Sequence, residues 1–523
     1  MLRTSLLDLL PRHTKGYLWI SFLVAVFLLM ALSENGVLVP EALTTFPRTQ
    51  LEYPEVEYSV QSLSEDSTSP EAEVSTAPAS KSEDVLVEVV EAPLAAQEPA
   101  KSHDVSTSTG LDPKDVVILV KTGATSIWRR MPAHMSTTLG DPSLTPNVLY
   151  YSDCEDNING NPVIDVLANV SATLKESPDF ALYHRAKEVA DANLYLESGS
   201  MDGDFYLPGG WRLDKYKFLP MFAHVAATMP GKKWYIYMED DNYYFWETLY
   251  AWLATLNHTA PIMVGSPAFR LGEDFAHGGS GFAISGPALA QSFGADPQLA
   301  QRWEDYAREQ CCGDQVLSHV LHQKGVQRER GLDGGGWAGL QALPTWRIGF
   351  GTWNWCSPIM NIHKVHQADI SRLHVFEREF KIRNSKKANL PPIRYRDIFQ
   401  SLALPHLTST RLEWDNFASA RHFSSSSDPD VSSSNSPSSA NPNPDPNPSS
   451  SWSTKPWFSR DACEQACKDW DLCLSWKYAD DSCSLDHTAA LGRRIDEGIR
   501  MESGWMLDRI GRLEELECEG LEF

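Results

Sequence analysis

Residues 234–253 read WYIYMEDDNYYFWETLYAWL, and this stretch restricts the fold more than any other in the chain. The run ending at Met238 is strand-like, with Trp234, Ile236 and Met238 on one face because side chains alternate along a strand. Phe245, Leu249, Trp252, Leu253 and Leu256 follow at i, i+4, i+7, i+8 and i+11, the spacing of one helix face. Glu239, Asp240 and Asp241 therefore stand in the turn between strand and helix, at the strand's carboxyl end. Asp241 or Asn242 capping the helix would account for one acid but not for three. Hard divalent cations such as Mn²⁺ and Mg²⁺ take carboxylate oxygens and share their remaining positions with water and phosphate, so the triplet reads as a metal–diphosphate site.

The surroundings match a site of that kind. DVVILVKTGA carries an uninterrupted apolar run, Val116–Val120, as expected for a strand buried on both faces. NVLYYSD, residues 147–153, is a second strand, and residues 128–139 between them suit a helix. WRLDKYKFLPMFAHVAATM has a helical pattern interrupted by Pro220. Strands alternating with helices predict an α/β domain with a largely parallel sheet, which binds ligands beyond the carboxyl ends of its strands.

The rest of the chain is organised by composition. Its 523 residues allow two or three domains. The formal charge of -24 argues against a nucleic-acid partner. Residues 51–112 hold 14 acids and two lysines, half of that charge, in a self-repelling tether. GYLWISFLVAVFLLMAL, residues 16–32, is an uncharged stretch at the short end of what spans a bilayer. Arg3, Arg12, His13 and Lys15 precede it, so a membrane anchor would leave 1–15 cytoplasmic and everything after Leu32 lumenal, in the Golgi or ER. A cleaved signal peptide is the alternative. Asn169 and Asn257 lie in N-x-S/T sequons, consistent with a lumenal location. Residues 33–112 are then a disordered stem, 113–422 the main domain, 423–456 a Ser/Pro/Asn-rich linker and 457–523 a small terminal domain.

Several later segments carry candidate chemistry. HGGSGFAIS, residues 277–285, is a Gly-rich turn entering a strand, where Gly278 and Gly279 allow a ligand to approach the backbone. In EQCCGDQVLSHVLHQKG, Asp314 opens a helix whose Val316, Leu317, Val320 and Leu321 face the core; a plain cap is the simpler role in isolation. WNWCSPIMNIHKVH supplies His363 and His366, each of which in isolation suits a structural role.

Taken together, EDDNYY is similar to the D-D-D-N-Y-V type motif of the Fringe glycosyltransferases, and GGSGFAIS resembles their G-G-A-G-[FY]-x-[LI]-S segment. GDQVL resembles an acidic segment of the same superfamily, glycosyltransferase family 31, and WRIGFGTWNWC looks most like its fungal-type branch, relatives of the core 1 β1,3-galactosyltransferase. The resemblance spans roughly residues 116–376. It implies a GT-A fold and inverting transfer from a UDP-sugar, with Mn²⁺, to a glycan or glycoprotein acceptor. Asp241 and His363 would hold the metal, Asp314 would be the general base, and Glu239 and Asp240 would support metal or donor. Thr122, Gly123 and Asp153 match uridine-binding positions; Lys215 resembles a lysine near the donor, with a solvated helix face as the equal alternative. Glu239 in place of the usual first Asp, and Ser280 in place of Ala, depart from the pattern.

Nine cysteines suit an oxidising lumen. Adjacent Cys311 and Cys312 are expected to reach different partners, among them Cys154 and Cys356, because a bond between neighbours is strained. The tail cysteines fit zinc or disulfides, with the compartment favouring disulfides. The tail resembles a PAN/Apple domain, which implies Cys463 with Cys483 and Cys467 with Cys473, and a role in holding the acceptor. Cys518 is left to cross-link a homodimer or stay free. Two functional classes follow: a metal-dependent transferase, favoured by Asp241, Asp314 and His363 together, or an inactive lumenal carbohydrate-binding protein.

Overall fold

The Val116–Lys121 run has no polar face, and all six of its residues are buried at the centre of an eight-stranded sheet. The computed structural model describes residues 110–192, 209–329, 340–387, 389–427, 455–496 and 498–518, all within one compact unit. The expected tail, anchor and nearly all of the stem lie outside the described residues, as does most of the linker. No described helix is long and apolar enough to cross a membrane.

Across the sheet the strands run Gln327–Glu329, Ile262–Gly265, Phe282–Ser285, Trp234–Glu239, Val116–Lys121, Val148–Ser152, Asn161–Asp165 and Asp156–Ile158. The sheet is mixed, with six strands running one way, as expected of a largely parallel sheet, and two against them: Asp156–Ile158, antiparallel to Asn161–Asp165, and Phe282–Ser285, antiparallel to both neighbours. Its direction has a local cause: the Gly-rich turn lies at the carboxyl end of Trp234–Glu239, and a strand leaving that end can only run back.

Alternation along the central strands separates two cores. Val117, Leu119, Tyr235 and Tyr237 pack with the Asp214–Thr228 and Gly313–Gln323 helices. Ile118, Val120, Trp234, Ile236 and Met238 pack with Ile127–Met135 and Trp246–Thr255. The Asp214–Thr228 helix continues through Pro220, where interruption was expected; seven buried side chains offset the roughly 3 kcal/mol that an interior proline costs.

The acidic turn does not pass directly into its helix. Tyr243–Tyr244 first forms a short strand antiparallel to Asn361–Ile362, and Val365 N–H donates to Asp241 O at 3.0 Å. This pairing carries His363 to the acids.

The terminal unit is a five-stranded sheet ordered Thr410–Leu412, Met501–Trp505, Ser475–Ala479, Ser482–Asp486 and Arg421–Ser424. The expected boundary at residue 422 is therefore corrected: residues 410–424 supply two edge strands, and the Ser-rich stretch interrupts the small unit instead of preceding it. Edge strands this short and polar have no pattern of their own, and only their partners define them.

The Arg460–Asp469 helix is stapled to this sheet by Cys463–Cys483, and Cys467–Cys473 closes its end. Cys518 bonds to Cys356, not to a second chain, and ties the tail to the main domain. Cys311 and Cys312 bond to each other, against expectation. Cys154 is a buried thiol beside Ala124 and Ala186, and Cys356 is already taken, which leaves the adjacent pair to itself. The two parts also share a core that joins Tyr243, Phe245, Trp355 and Ile362 to Leu474, Ala489, Trp505 and Ile510. Phe350 and Ala489 exchange backbone hydrogen bonds of 2.8 and 3.1 Å across the seam.

Candidate functional site

The three acids of the turn have three different environments. Glu239 ends the strand, accepts from Tyr237 Oη at 2.6 Å and pairs with Lys121 Nζ at 2.8 Å. Asp240 is buried and its carboxylate accepts from Thr122 Oγ1 at 2.7 Å, Ser126 Oγ at 2.8 Å and Arg130. Its backbone carbonyl faces His134 Nε2 at 2.9 Å. Asp240 thus locks the turn onto the loop after the first strand and has little left to offer a ligand.

Asp241 differs. Its Oδ1 is buried and, among the described residues, finds no hydrogen-bond partner; His363 Nε2 stands 3.4 Å away, an ionic contact outside bonding geometry. The following helix has Phe245 at its N-cap and no side-chain capping bond, so neither Asp241 nor Asn242 is there as a cap. Burial by itself would raise the Asp241 carboxyl, but His363 and Arg130 outweigh it and hold the group below its ordinary value. His363 points Nδ1 at Ala342 O, 3.0 Å away, which turns Nε2 toward Asp241. An orphaned carboxylate oxygen facing an oriented imidazole fits a divalent cation that accepts both oxygen and nitrogen, such as Mn²⁺. Among the described residues no third His, Cys, Asp or Glu joins them, so the other positions would fall to water and ligand oxygens. His366 instead caps the Gln367–Asn384 helix.

The Gly-rich turn links this pair to Asp314. Gly278 N–H donates to Asp314 Oδ2 at 2.7 Å, and Gln315 N–H donates to Oδ1 at 2.9 Å, which fixes the carboxylate in the first turn of its helix. Asp314 is not that helix's N-cap, a position held by Cys312. A Cβ on Gly279 would come within 2.8 Å of both His277 Cε1 and His363 Nε2, so only glycine lets the turn pass between the rings. Gly278 and Gly279 thereby hold Asp314 on one side and His363 on the other.

Beside the acids lies a cavity of about 230 Å³ lined by Thr122, Gly123, Thr125, Arg130, Glu239 and Asp240, with Trp211, 72% exposed, at its edge. Behind it runs a chain of alternating charge, Glu239, Lys121, Asp214, Lys217 and Asp153, each contact 2.8 to 3.0 Å, of which the first three line the cavity. Burial would lower both lysines, yet the flanking carboxylates outweigh it and keep them charged. Asp153 does not line the cavity; its Oδ1 accepts from Ala124 N–H and Lys217 and so shapes the Thr122–Ala124 loop. Lys215 is not brought to the site. It binds Arg308 O, Gln310 O and Asp179, while Lys217, completely buried, reaches Asp153 and Thr122 O. On a helix two residues separate opposite sides, and WRLDKYKF does not say which lysine faces in. Sequence reading also missed Lys121, Arg130 and Asp214; the Asp214–Lys217 spacing of i, i+3 is the one available signal. Asn169 and Asn257 are both exposed.

Residues 111–323 match the family model described as Fringe-like. The match takes in the acidic turn, the Gly-rich turn and Asp314, and ends before His363. No curated protein matches the chain. Over Leu111–Gln323, 213 of the 523 residues, the chain is therefore similar to the Fringe-like family.

Proposed function

We propose that this protein is a metal-dependent, inverting transferase that moves a hexose or N-acetylhexosamine from a UDP-sugar to a hydroxyl of a glycan or glycoprotein, forming a β1,3 linkage. The observation that carries this reading is the orphaned Asp241 Oδ1 facing His363 Nε2, one glycine turn away from Asp314. Mn²⁺ or Mg²⁺, held there by Asp241 and His363, would neutralise charge developing on the departing UDP. The chain's own residues divide the remaining work. The cavity over Thr122 and Gly123 receives the nucleoside, and its edge is kept in shape by Asp240, Asp153 and Lys217. Glu239, partly exposed and steadied by Lys121 and Tyr237, presents one carboxylate to the donor. Each Asp314 oxygen accepts one backbone N–H and keeps a lone pair, so this carboxylate takes the proton from the attacking hydroxyl. Attack opposite the leaving group inverts the anomeric centre.

The uncharged stretch 16–32, preceded by Arg3, Arg12 and Lys15, supports reading it as a membrane anchor with the domain in the lumen of the Golgi or ER. A helix disulfide-bonded onto an antiparallel sheet supports a PAN/Apple-like reading of the terminal unit, fixed to the main domain by Cys356–Cys518.

The test is UDP release from a panel of UDP-sugars with Mn²⁺ or EDTA, with and without pooled glycan acceptors, for the wild type, Asp241→Ala and Asp314→Ala. Acceptor-stimulated, EDTA-sensitive turnover lost in both variants is expected. No turnover, with glycan binding indifferent to both substitutions, would make the protein a lectin instead.

A further inference from the structure

A second cavity, of about 250 Å³, lies apart from the acidic turn, between the Glu273–Ala276 strand and the Gly313–Gln323 helix. Its polar wall is the helix face carrying Gln315, Ser318, His319 and His322, together with Arg328; Met263, Phe275 and Leu321 supply an apolar floor.

The polar wall is incompletely satisfied. Gln315 is 2% exposed, and among the described residues its Oε1 has no hydrogen-bond partner. Arg328 donates through Nη2 to Asp274, but its buried Nε and Nη1 find no acceptor among the described residues. Buried polar atoms are costly to leave unpaired, so one acceptor and two donors left over among the residues of one cavity call for a ligand able to both donate and accept.

The charged groups of the lining are already taken. Glu273 faces His319 Nδ1 at 2.8 Å and Asp274 pairs with Arg328, so neither a carboxylate nor the guanidinium is left to single out a cation or an anion. A neutral molecule with many hydroxyls and an apolar face is what remains.

Position supplies the link to the reaction. The strand and helix run side by side in opposite senses: Glu273 meets His319, Ala276 N–H donates to Ser318 Oγ at 3.4 Å, and Gly278 N–H to Asp314. The seam that contains the cavity therefore ends at Asp314. At 1.5 Å per residue the Gln315–His322 face extends about 10 Å from that carboxylate.

We propose that this cavity is a saccharide-binding subsite, occupied by the sugar of the acceptor next to the one whose hydroxyl faces Asp314. The assignment to the acceptor rests on the function proposed above; the assignment to a saccharide does not.

The probes are methyl β-galactoside, methyl α-N-acetylgalactosaminide, methyl α-mannoside and lactose, tested on the full chain by saturation-transfer NMR and hydrogen exchange. UDP binding with Mn²⁺ is measured in parallel. At least one probe is expected to bind and to protect amides of 273–278 and 315–322 in the wild type, and to bind about tenfold more weakly to Gln315→Leu and Arg328→Met, with UDP binding unchanged. Absence of binding by all four probes, protection elsewhere only, or equal affinity in both variants would overturn the proposal. Saccharide protection at these amides without any UDP binding would support the subsite and refute the transferase reading.

Discussion

The Gly278–Gly279 turn passes between two imidazoles, and Gly279→Ala tests that constraint. A Cβ there would sit 2.8 Å from both His363 Nε2 and His277 Cε1, and closer still to His363 Cε1. Ordinary contact between such atoms is about 3.5 to 4.0 Å, so the His363 ring must retreat by about 1 Å or more. It cannot do so freely, because Nδ1 is bonded to Ala342 O at 3.0 Å on its other side. If His363 holds the metal as proposed, displacing its ring to that degree is expected to weaken Mn²⁺ binding about 10- to 100-fold, comparable to losing a supporting hydrogen bond around a metal ligand. The assay is Mn²⁺ titration followed by electron paramagnetic resonance of the free ion, with thermal unfolding as the fold control. Gly511, whose added Cβ would meet nothing within 4 Å, provides Gly511→Ala as a neutral comparison. A Gly279→Ala protein that binds Mn²⁺ like the wild type would refute the assignment of His363 to the metal.

Two pairs of substitutions separate neighbouring residues with different roles, and a fifth tests a disulfide. Asp241→Asn should abolish EDTA-sensitive turnover with little change in Tm, whereas Asp240→Asn should unlock the turn from Thr122, Ser126 and Arg130 and cost about 3 to 5 kcal/mol in denaturant unfolding; the reverse ranking would dismiss the division proposed for the two acids. Lys217→Met strands the buried Asp153 and leaves Asp214 to Lys121 alone, and should likewise cost about 3 to 5 kcal/mol, while Lys215→Met, read by the same urea titration, should cost under about 1 kcal/mol. Cys518→Ser removes a bond closing a separation of 162 residues and should lower stability by about 2 to 5 kcal/mol; the wild type should run as a monomer on a non-reducing gel, and a disulfide-linked dimer would contradict the Cys356 pairing.

Much of the site was legible because its elements are local. An apolar strand ending in acids announces itself through a period-two pattern and an abrupt change of polarity, and the Gly-rich turn and the Gly313–Gln323 helix do so by composition and spacing. Pairings were legible only where a known framework supplied them, as with Cys463–Cys483 and Cys467–Cys473. Elsewhere position in sequence misled: Lys215 stood in for Lys217, the strands between 410 and 424 were counted with the main domain, and Cys518, far along the chain from Cys356, gave no sign of that partner.

The sequence by itself determined the strands, the helices, the acidic turn and the candidate base, since these depend on side-chain periodicity within about a dozen residues. Only the tertiary structure decided which of three acids keeps a buried carboxylate oxygen free of hydrogen bonds among the described residues. Thr122, Ser126 and Arg130 claim Asp240, and Lys121 and Tyr237 claim Glu239, whereas the Tyr243–Tyr244 pairing with Asn361–Ile362 brings His363 to Asp241 and leaves its Oδ1 without a hydrogen bond among the described residues. Three adjacent carboxylates are chemically alike along the chain, and they acquire separate roles from neighbours that only folding brings near.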